Sequence, residues 1–268
     1  MEAFCKEIRK DIVKSIASFG TGHIGGSLSI VEILAVLYKK HMNFDVNNPK
    51  KDGRDRLIVS KGHAGPAVYS ILSNLGFFDK SWLLTLNKPG TNLPSHCDMN
   101  KTPGIDMTTG SLGQGFSCAV GISLGSKILN DGATIYTIIG DGESQEGQIW
   151  EAAMFAHHQK LDNLIAFLDY NNAQIDGTIS EVCSIDPIVD KWKSFGWYTI
   201  FVENGNSCKD IDSAINEAKK VVGQPCMIIA KTVKGCGVSF AIEAGVNNHS
   251  MGISEEQLNS ALKELGGN

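Results

Sequence analysis

The chain has 268 residues, of which 42% are hydrophobic and 20% charged, with a formal net charge of −5 and an isoelectric point near 5.8. An acidic chain without a long run of Lys or Arg is a poor partner for nucleic acid or for an anionic membrane surface. No apolar stretch reaches the ~18 residues that a membrane-spanning helix needs. The charged, amphipathic N-terminal segment is also unlike a secretion signal.

Seven cysteines are scattered along the chain, at positions 5, 97, 118, 183, 208, 226 and 236. An odd number of cysteines, without a Cys-x-x-Cys spacing, argues against both a disulfide framework and a zinc site. We therefore expect a reduced protein of the cytoplasm.

Helical and apolar segments alternate along the chain, which is long enough for one large domain over residues 1–268. Helical periodicity, such as the stripe formed by Ile8, Ile12 and Ile16, predicts helices over 3–18, 27–40, 113–130, 146–158, 209–222 and 254–266. Continuous β-branched runs predict strands over 56–60, 134–140, 164–170, 197–202 and 226–231. Strands of this kind are buried on both faces, so we expect an α/β fold with a mostly parallel twisted sheet and helices on both faces.

Two long segments between these elements are irregular. Residues 87–112 contain three prolines and three glycines and show little periodicity, and residues 234–252 resemble them in this respect. Long loops inside a compact domain are usually functional or act as linkers. Both segments are therefore candidates for a ligand site.

The segment YTIIGDGESQEG, residues 136–147, ends an apolar strand in an aspartate between two glycines. A tight turn and an acidic first helical turn account for its glycines and glutamates, but not for Asp141. Thirty residues downstream, Asn171 follows the next apolar run. Parallel neighbouring strands would bring these two side chains to one sheet edge, where open α/β sheets bind ligands. One carboxylate and one amide oxygen, with room for phosphate and water, suit Mg²⁺.

The GDG pattern followed after about thirty residues by NN resembles the thiamine diphosphate motif. Further segments have counterparts in the transketolase family, in the family's order: TGHIGGSLS at 21–29, SKGHAGPAVYS at 60–70, LPSHCD at 93–98, TTGSLGQG at 108–115 and GDGESQEG at 140–147. The resemblance covers nearly the whole chain, but only about the first third of an ordinary transketolase. It implies the thiamine-diphosphate-binding fold and the separately encoded diphosphate-binding half of a split enzyme.

The resemblance implies a metal and diphosphate site. Mg²⁺ would be held by the side chains of Asp141 and Asn171 and by the carbonyl oxygen of Ala173, and Ca²⁺ or Mn²⁺ could replace it. The backbone of Gly142 would contact the diphosphate of thiamine diphosphate.

The family resemblance also implies how the rest of the cofactor is bound. Backbone groups of Gly110 and Leu112 would contact the aminopyrimidine ring. Glu146 would lie at the subunit boundary and face the partner's glutamate that activates the cofactor.

Four histidines complete the implied site. His23, His63 and His96 would line the reaction cavity, where imidazoles with pKa values near neutrality can move protons to and from sugar hydroxyls. His63 and His249 would also contact the cofactor. The segment around His249, NNHSMG, departs from the family's His-Gly, so its match is weaker than the other three.

The second, pyrimidine-binding domain is absent from this chain, and in this family it supplies the activating glutamate. The resemblance therefore implies a partner chain with that domain, in an α2β2 assembly, and transfer of a two-carbon ketol unit between sugar phosphates. Specialised relatives use apulose phosphate or sulfonated sugars. Three alternatives are a 2-oxo acid dehydrogenase E1-like subunit, a deoxyxylulose-phosphate-synthase-like half and a non-catalytic scaffold. The three histidine segments and TTGSLGQG favour transketolase over the first, a decarboxylation assay with pyruvate would separate the second, and the retained Asp141, Asn171 and histidines speak against the third.

Overall fold

The computed structural model describes residues 1–266, so the last two residues of the predicted domain 1–268 lie outside the described part. Its main sheet has five parallel strands in the order β2-β3-β4-β6-β5. These strands are β2 Arg56–Val59, β3 Ile135–Gly140, β4 Leu164–Tyr170, β5 Tyr198–Val202 and β6 Cys226–Lys231. All five strands predicted from apolar runs are therefore present, and the predicted parallel sheet is confirmed.

The α-helices of the described residues flank this sheet. In chain order they are α1 Glu2–Phe19, α2 Ile24–Leu28, α3 Val31–Val36, α4 Gly65–Leu75, α5 Gln114–Leu129, α6 Gly147–His158, α7 Ile179–Val182, α8 Ile188–Ser194, α9 Cys208–Ala218, α10 Ser239–Glu243 and α11 Glu255–Glu264. Short 3₁₀ turns lie at Gly62–Ala64, Lys80–Thr85, Glu143–Gln145 and Gly245–His249, and a π-helical turn at Leu37–His41 continues α3. None of the described helices combines the length and the apolar character needed to cross a bilayer.

The two faces of the sheet carry separate hydrophobic cores, because successive residues of a strand point to opposite faces. On β3, Tyr136 and Ile138 join the core that includes α1, α3, α4 and α9. Their neighbours Ile135 and Ile139 join the core beneath α5, α6 and α8. The central strands are thus buried on both sides, as their unbroken apolar sequence predicts.

Two predictions of local structure are wrong. The helix expected over 27–40 is interrupted at Ser29 and Ile30, where Ile30 has φ −105° and ψ 10°. The break turns the Ser29 hydroxyl towards the sheet, where it donates to the Asp169 carboxylate at 2.7 Å. Helix α4 was not predicted, and the segment 234–252, expected to be irregular, contains α10 and a 3₁₀ turn.

A small second sheet joins distant parts of the chain. Strand β1, Thr21–Gly22, pairs antiparallel with β7, Met251–Gly252. His23 directly follows β1 and His249 lies just before β7. This pairing therefore holds together two histidine segments that are more than two hundred residues apart.

Helix α5 approaches the end of β2 closely at Gly115. A Cβ atom added there would lie 2.7 Å from the Cα of Ser60, which is backbone and cannot move aside. We predict that Gly115→Ala lowers the free energy of unfolding by about 1–3 kcal/mol, the usual cost of overpacking. The matched control, Gly121→Ala on the same helix, has no neighbour within 4 Å and should be neutral or gain up to ~1 kcal/mol. Urea unfolding measures both, and equal effects would contradict the prediction.

Candidate active site

The carboxyl ends of four adjacent strands meet at one edge of the sheet. Lys61 follows β2, Asp141 follows β3, Asn171 follows β4 and Lys234 lies beyond β6. This edge is where open parallel sheets bind ligands. The expectation that Asp141 and Asn171 end neighbouring strands is met, since β3 and β4 pair directly.

A cavity of about 390 Å³ opens at this edge. Every residue singled out from the sequence lines it: His23, His63, His96, Gly110, Leu112, Asp141, Gly142, Glu146, Asn171, Ala173 and His249. These residues come from seven separate segments of the chain. The fold thus brings the predicted residues into one place, and what each does there remains a proposal.

Asp141 is almost completely buried and is held by backbone N–H groups. Its carboxylate accepts from the N–H groups of Gly142, Asn171 and Asn172 at 2.9, 2.8 and 2.6 Å. Burial, together with the negative charge of Asp169, nevertheless raises the pKa of Asp141 to about 6. A carboxylate in this position gains from a cation beside it.

A buried ion pair lies behind Asp141, and it was not predicted from the sequence. The Lys61 ammonium donates to the Asp169 carboxylate, and both side chains are excluded from solvent. Asp169 also accepts from Ser29, from Thr232 and, at 2.9 Å, from the Asn171 amide. Burial opposes its ionisation, but the Lys61 charge and these donors lower the pKa of Asp169. The Asn171 amide nitrogen is fixed by Asp169, so its oxygen points away from it.

A second lysine inside the cavity was also missed. Lys234 donates to the carbonyl oxygen of Ala173 at 2.9 Å and lies 3.5 Å from Nδ1 of His249. Burial and the nearby Lys61 charge lower the pKa of Lys234 to about 8. Its ammonium therefore places positive charge beside one of the three predicted metal ligands. The sequence offers one signal for Lys61 and Lys234, which is that each follows the end of a buried strand.

The four histidines form one cluster. His23 is central, with its ring centre 5.4 Å from those of His63, His96 and His249, and the rings of His63 and His249 are 4.9 Å apart. Burial lowers the pKa of all four imidazoles. Neutral imidazoles can both accept and donate a proton, which suits reactions of hydroxyl and carbonyl groups.

Glu143 holds the loop that carries Gly110 and Leu112 in place through hydrogen bonds. This buried carboxylate accepts from the N–H groups of Gly113 and Gly140 at 2.9 and 3.0 Å, and from the Ser60 hydroxyl. Glu143 therefore stabilises the site loop, a role that an acidic residue in a first helical turn does not need. Glu146, in contrast, is exposed at the start of α6 and makes no capping hydrogen bond with its side chain.

Comparison with known proteins settles the family. Residues 2–268 match the family described as "Transketolase, thiamine diphosphate binding domain". The chain belongs to the transketolase family. The resemblance of its motifs, and the thiamine-diphosphate-binding fold that they implied, are confirmed.

Several relatives are similar to nearly the whole chain. A 6-deoxy-6-sulfo-D-fructose transketolase subunit from Clostridium sp. (strain MSTE9) is 53% identical, over 96% of this chain and 93% of that protein. An apulose-4-phosphate transketolase subunit from Phocaeicola vulgatus is 36% identical, over 99% of this chain and 93% of that protein.

Longer proteins named transketolase match over only part of their own length. Human transketolase is 33% identical over 96% of this chain, but the match covers 41% of the human protein. A transketolase from Pichia stipitis in complex with xylulose 5-phosphate superposes on all of this chain with a TM-score of 0.94, at 30% identity and 41% coverage of its own chain. The chain thus spans well under half of these proteins.

We predict that His23 and His249 stay neutral well below pH 6. Burial, with the charges of His96 and Lys234, lowers the pKa of each from the ordinary 6.5 to about 4. The folded chain then binds fewer protons than the unfolded chain, so the contribution of these groups to stability is complete above pH 6.5 and is lost as the pH falls towards 4.

Nuclear magnetic resonance titration of histidine-labelled protein, with signals assigned by single His→Gln variants, measures these pKa values. Urea unfolding between pH 7 and pH 4 measures the loss of stability. Titration of both rings near pH 6.5 would show that the cluster is more hydrated than its geometry indicates.

Proposed function

We propose that this chain is the thiamine-diphosphate-binding subunit of a two-chain transketolase. The observation that carries the proposal is its length relative to its relatives. The chain matches proteins named as subunits over 93% of their length, but single-chain transketolases over about 41%. The proposed partner is a second polypeptide that carries the pyrimidine-binding domain, in an α2β2 assembly of the cytoplasm.

The residues at the sheet edge fit a divalent cation. Asp141 offers a carboxylate, Asn171 an amide oxygen whose nitrogen is already fixed by Asp169, and Ala173 a carbonyl oxygen that attracts the Lys234 ammonium. Oxygen ligands of this kind are those that Mg²⁺ prefers, and Ca²⁺ or Mn²⁺ can substitute. In our proposal these three residues hold Mg²⁺, and Lys234 leaves Ala173 when the metal binds.

Thiamine diphosphate supplies, when bound, the nucleophilic carbon that takes up the ketol group. The chain's own contribution is to bind and orient. The backbone of Gly142 would contact the diphosphate, and the side chains of His63 and His249 would contact the cofactor. The backbone of Gly110 and Leu112 would contact the aminopyrimidine ring. A glycine is required at position 110, because an added Cβ would lie 3.1 Å from the His96 ring and φ is +150°.

Proton transfer falls to the histidine cluster. His23 and His96 line the cavity and are only partly buried, and they would meet hydroxyl groups of the sugar. Because their pKa values are lowered by burial, they are neutral at physiological pH and can accept a proton without first losing one. Glu146 would act across the subunit boundary, towards the partner's activating glutamate.

Among sugars, we propose a sulfonated ketose as the donor. The support is the 53% identity to the 6-deoxy-6-sulfo-D-fructose transketolase subunit, against 36% and 37% for two apulose-4-phosphate transketolase subunits. In the family the basic groups that hold the sugar's anionic end come largely from the other half of the enzyme. The identity of the donor therefore has to be tested with the assembled enzyme.

The metal assignment predicts a specific loss in Asp141→Asn. This variant removes the ligand charge, and we expect cofactor-dependent metal binding to weaken by roughly 100-fold or more. Electron paramagnetic resonance of Mn²⁺, titrated with the chain and thiamine diphosphate, measures the binding without any activity assay. Asp186→Asn is the matched control, since Asp186 is exposed and lies outside the cavity, and its carboxylate accepts from Tyr170 alone within residues 1–266. Equal Mn²⁺ affinity in the two variants would overturn the assignment.

The partner requirement predicts that the purified chain alone has no ketol-transfer activity. Affinity purification from the native cell should recover a second chain of roughly 300 residues, in line with usual domain sizes. The recombined pair should then transfer a ketol unit. Donors to compare are 6-deoxy-6-sulfofructose, apulose 4-phosphate and xylulose 5-phosphate.

Each outcome of this experiment has a separate meaning. Full activity of the single chain would refute the two-chain proposal. Activity of the pair that prefers apulose 4-phosphate or xylulose 5-phosphate would refute the sulfonated donor and leave the transketolase intact. A recovered partner without ketol transfer from any donor would refute the transferase function.

A further inference from the structure

Two cysteines that are far apart in sequence meet at a second cavity, away from the candidate active site. The Sγ atoms of Cys5, in the first turn of α1, and Cys208, in the first turn of α9, are 3.6 Å apart, although the two positions differ by 203 in the chain. Both residues line a cavity of about 850 Å³. The scattered cysteine positions gave no hint of this pair.

We propose that Cys5 and Cys208 form a reversible disulfide bond when the protein meets a low-molecular-weight disulfide such as oxidised glutathione. The two sulfur atoms are already in contact, so only a small movement of the two side chains is needed. The other five cysteines of the chain have no such sulfur neighbour among the hydrogen-bonded pairs of residues 1–266. The site is thus specific to this pair.

The surroundings of the pair assign different roles to the two sulfurs. Cys208 is only partly buried and lies at the N-terminus of the eleven-residue helix α9, whose dipole favours a thiolate. The hydrogen bond with Cys5 lowers the pKa of Cys208 against the opposing effects of burial and of the Glu32 carboxylate, and the Arg9 guanidinium also lowers it. The same hydrogen bond, together with burial, raises the pKa of Cys5. Cys208 is therefore the attacking group and Cys5 the resolving group.

The exchange balances in two steps. The Cys208 thiolate attacks one sulfur of the oxidant, the oxidant's S–S bond breaks, and one thiolate leaves as the mixed disulfide forms. Cys5 then loses its proton to solvent and attacks the Cys208 sulfur, and the second thiolate leaves. Two cysteine thiols are oxidised, and one small disulfide is reduced to two thiols. The cavity gives the oxidant access to Cys208.

The segments that carry the cysteines are held firmly, so the pair is not a chance encounter of two flexible ends. Arg9, one turn beyond Cys5, forms a buried ion pair with Glu32 at 2.8 Å and donates to the carbonyl of Cys236. Asn206, two residues before Cys208, donates to the same Glu32 at 3.2 Å and to the carbonyl of Ser29. A shared carboxylate thus fixes α1 and the start of α9 relative to each other.

The test is oxidation of the full chain with oxidised glutathione, followed by intact mass measurement and non-reducing peptide mapping. We expect the mass of two hydrogens to be lost, a single cross-linked peptide pair containing Cys5 and Cys208, and full reversal by dithiothreitol. The cross-link closes a long loop, so the oxidised chain should unfold at a temperature higher by roughly 5–10 °C.

Three variants make the test specific. Cys5→Ser should accumulate a mixed disulfide of glutathione on Cys208, whereas Cys208→Ser should remain reduced at Cys5. Cys183→Ser, which removes an exposed cysteine, should behave like the parent chain. Circular dichroism before oxidation confirms that each variant is folded. If a variant is unfolded, the mass measurement and peptide map of the oxidised parent chain decide between the two outcomes. Glutathione retained on Cys208 of the parent chain, or alkylation of Cys5 and Cys208 as fast as Cys183 after oxidation, would overturn the proposal.

Discussion

The site depends on one buried ion pair, between Lys61 and Asp169. Removing two charges from water is costly, and the cost is recovered only when every partner is in place. Here Asp169 is satisfied by Lys61, Ser29, Thr232 and Asn171, which come from the ends of three strands and from the break between α2 and α3. The arrangement of the whole sheet edge is therefore coupled to this single carboxylate. Loss of Lys61 would leave the Asp169 charge buried without a counter-charge, and loss of Ser29, Thr232 or Asn171 would remove one of its hydrogen bonds, so the edge tolerates little variation.

The fold was largely predictable from the sequence, because its main signals are local. Unbroken apolar runs predicted the five strands, and the spacing between Asp141 and Asn171 predicted that β3 and β4 are neighbours. Eleven of the residues that line the cavity were also found, since they stand in motifs that resemble a known family. What was missed depends on tertiary structure. A lysine in a sequence is normally solvated, and nothing local to Lys61 or Lys234 shows that the sheet and helices exclude water around them. The break at Ser29 and Ile30 likewise accompanies a hydrogen bond between Ser29 and Asp169, a partner 140 residues away that no local pattern reveals.

The floor and the rim of the cavity differ in chemical character. Its floor carries charged and hydrogen-bonded groups, whereas its rim includes Leu112, Glu146 and Ile175, all of which are exposed in the described chain. Exposed apolar side chains around a polar cavity are typical of a surface that another protein covers. This asymmetry agrees with the proposal that a second chain closes the site and supplies the missing acid. If a second chain does close the site, its residues would also contact the substrate, which is why the substrate is harder to infer than the chemistry.

The two-residue pairing of β1 with β7 has a consequence for how the protein is made. Residues 251 and 252 leave the ribosome long after residues 21 and 22, so β1 has no partner during most of translation. All five strands of the main sheet lie within residues 56–231 and are made earlier, but His23 and His249 reach their positions only when residues 249–252 have been synthesised. A nascent chain that stalls before residue 249 would thus contain every strand of the main sheet but an incomplete histidine cluster. The histidine cluster is in this way completed only after the strands of the sheet have been made, when residues 249–252 have been synthesised.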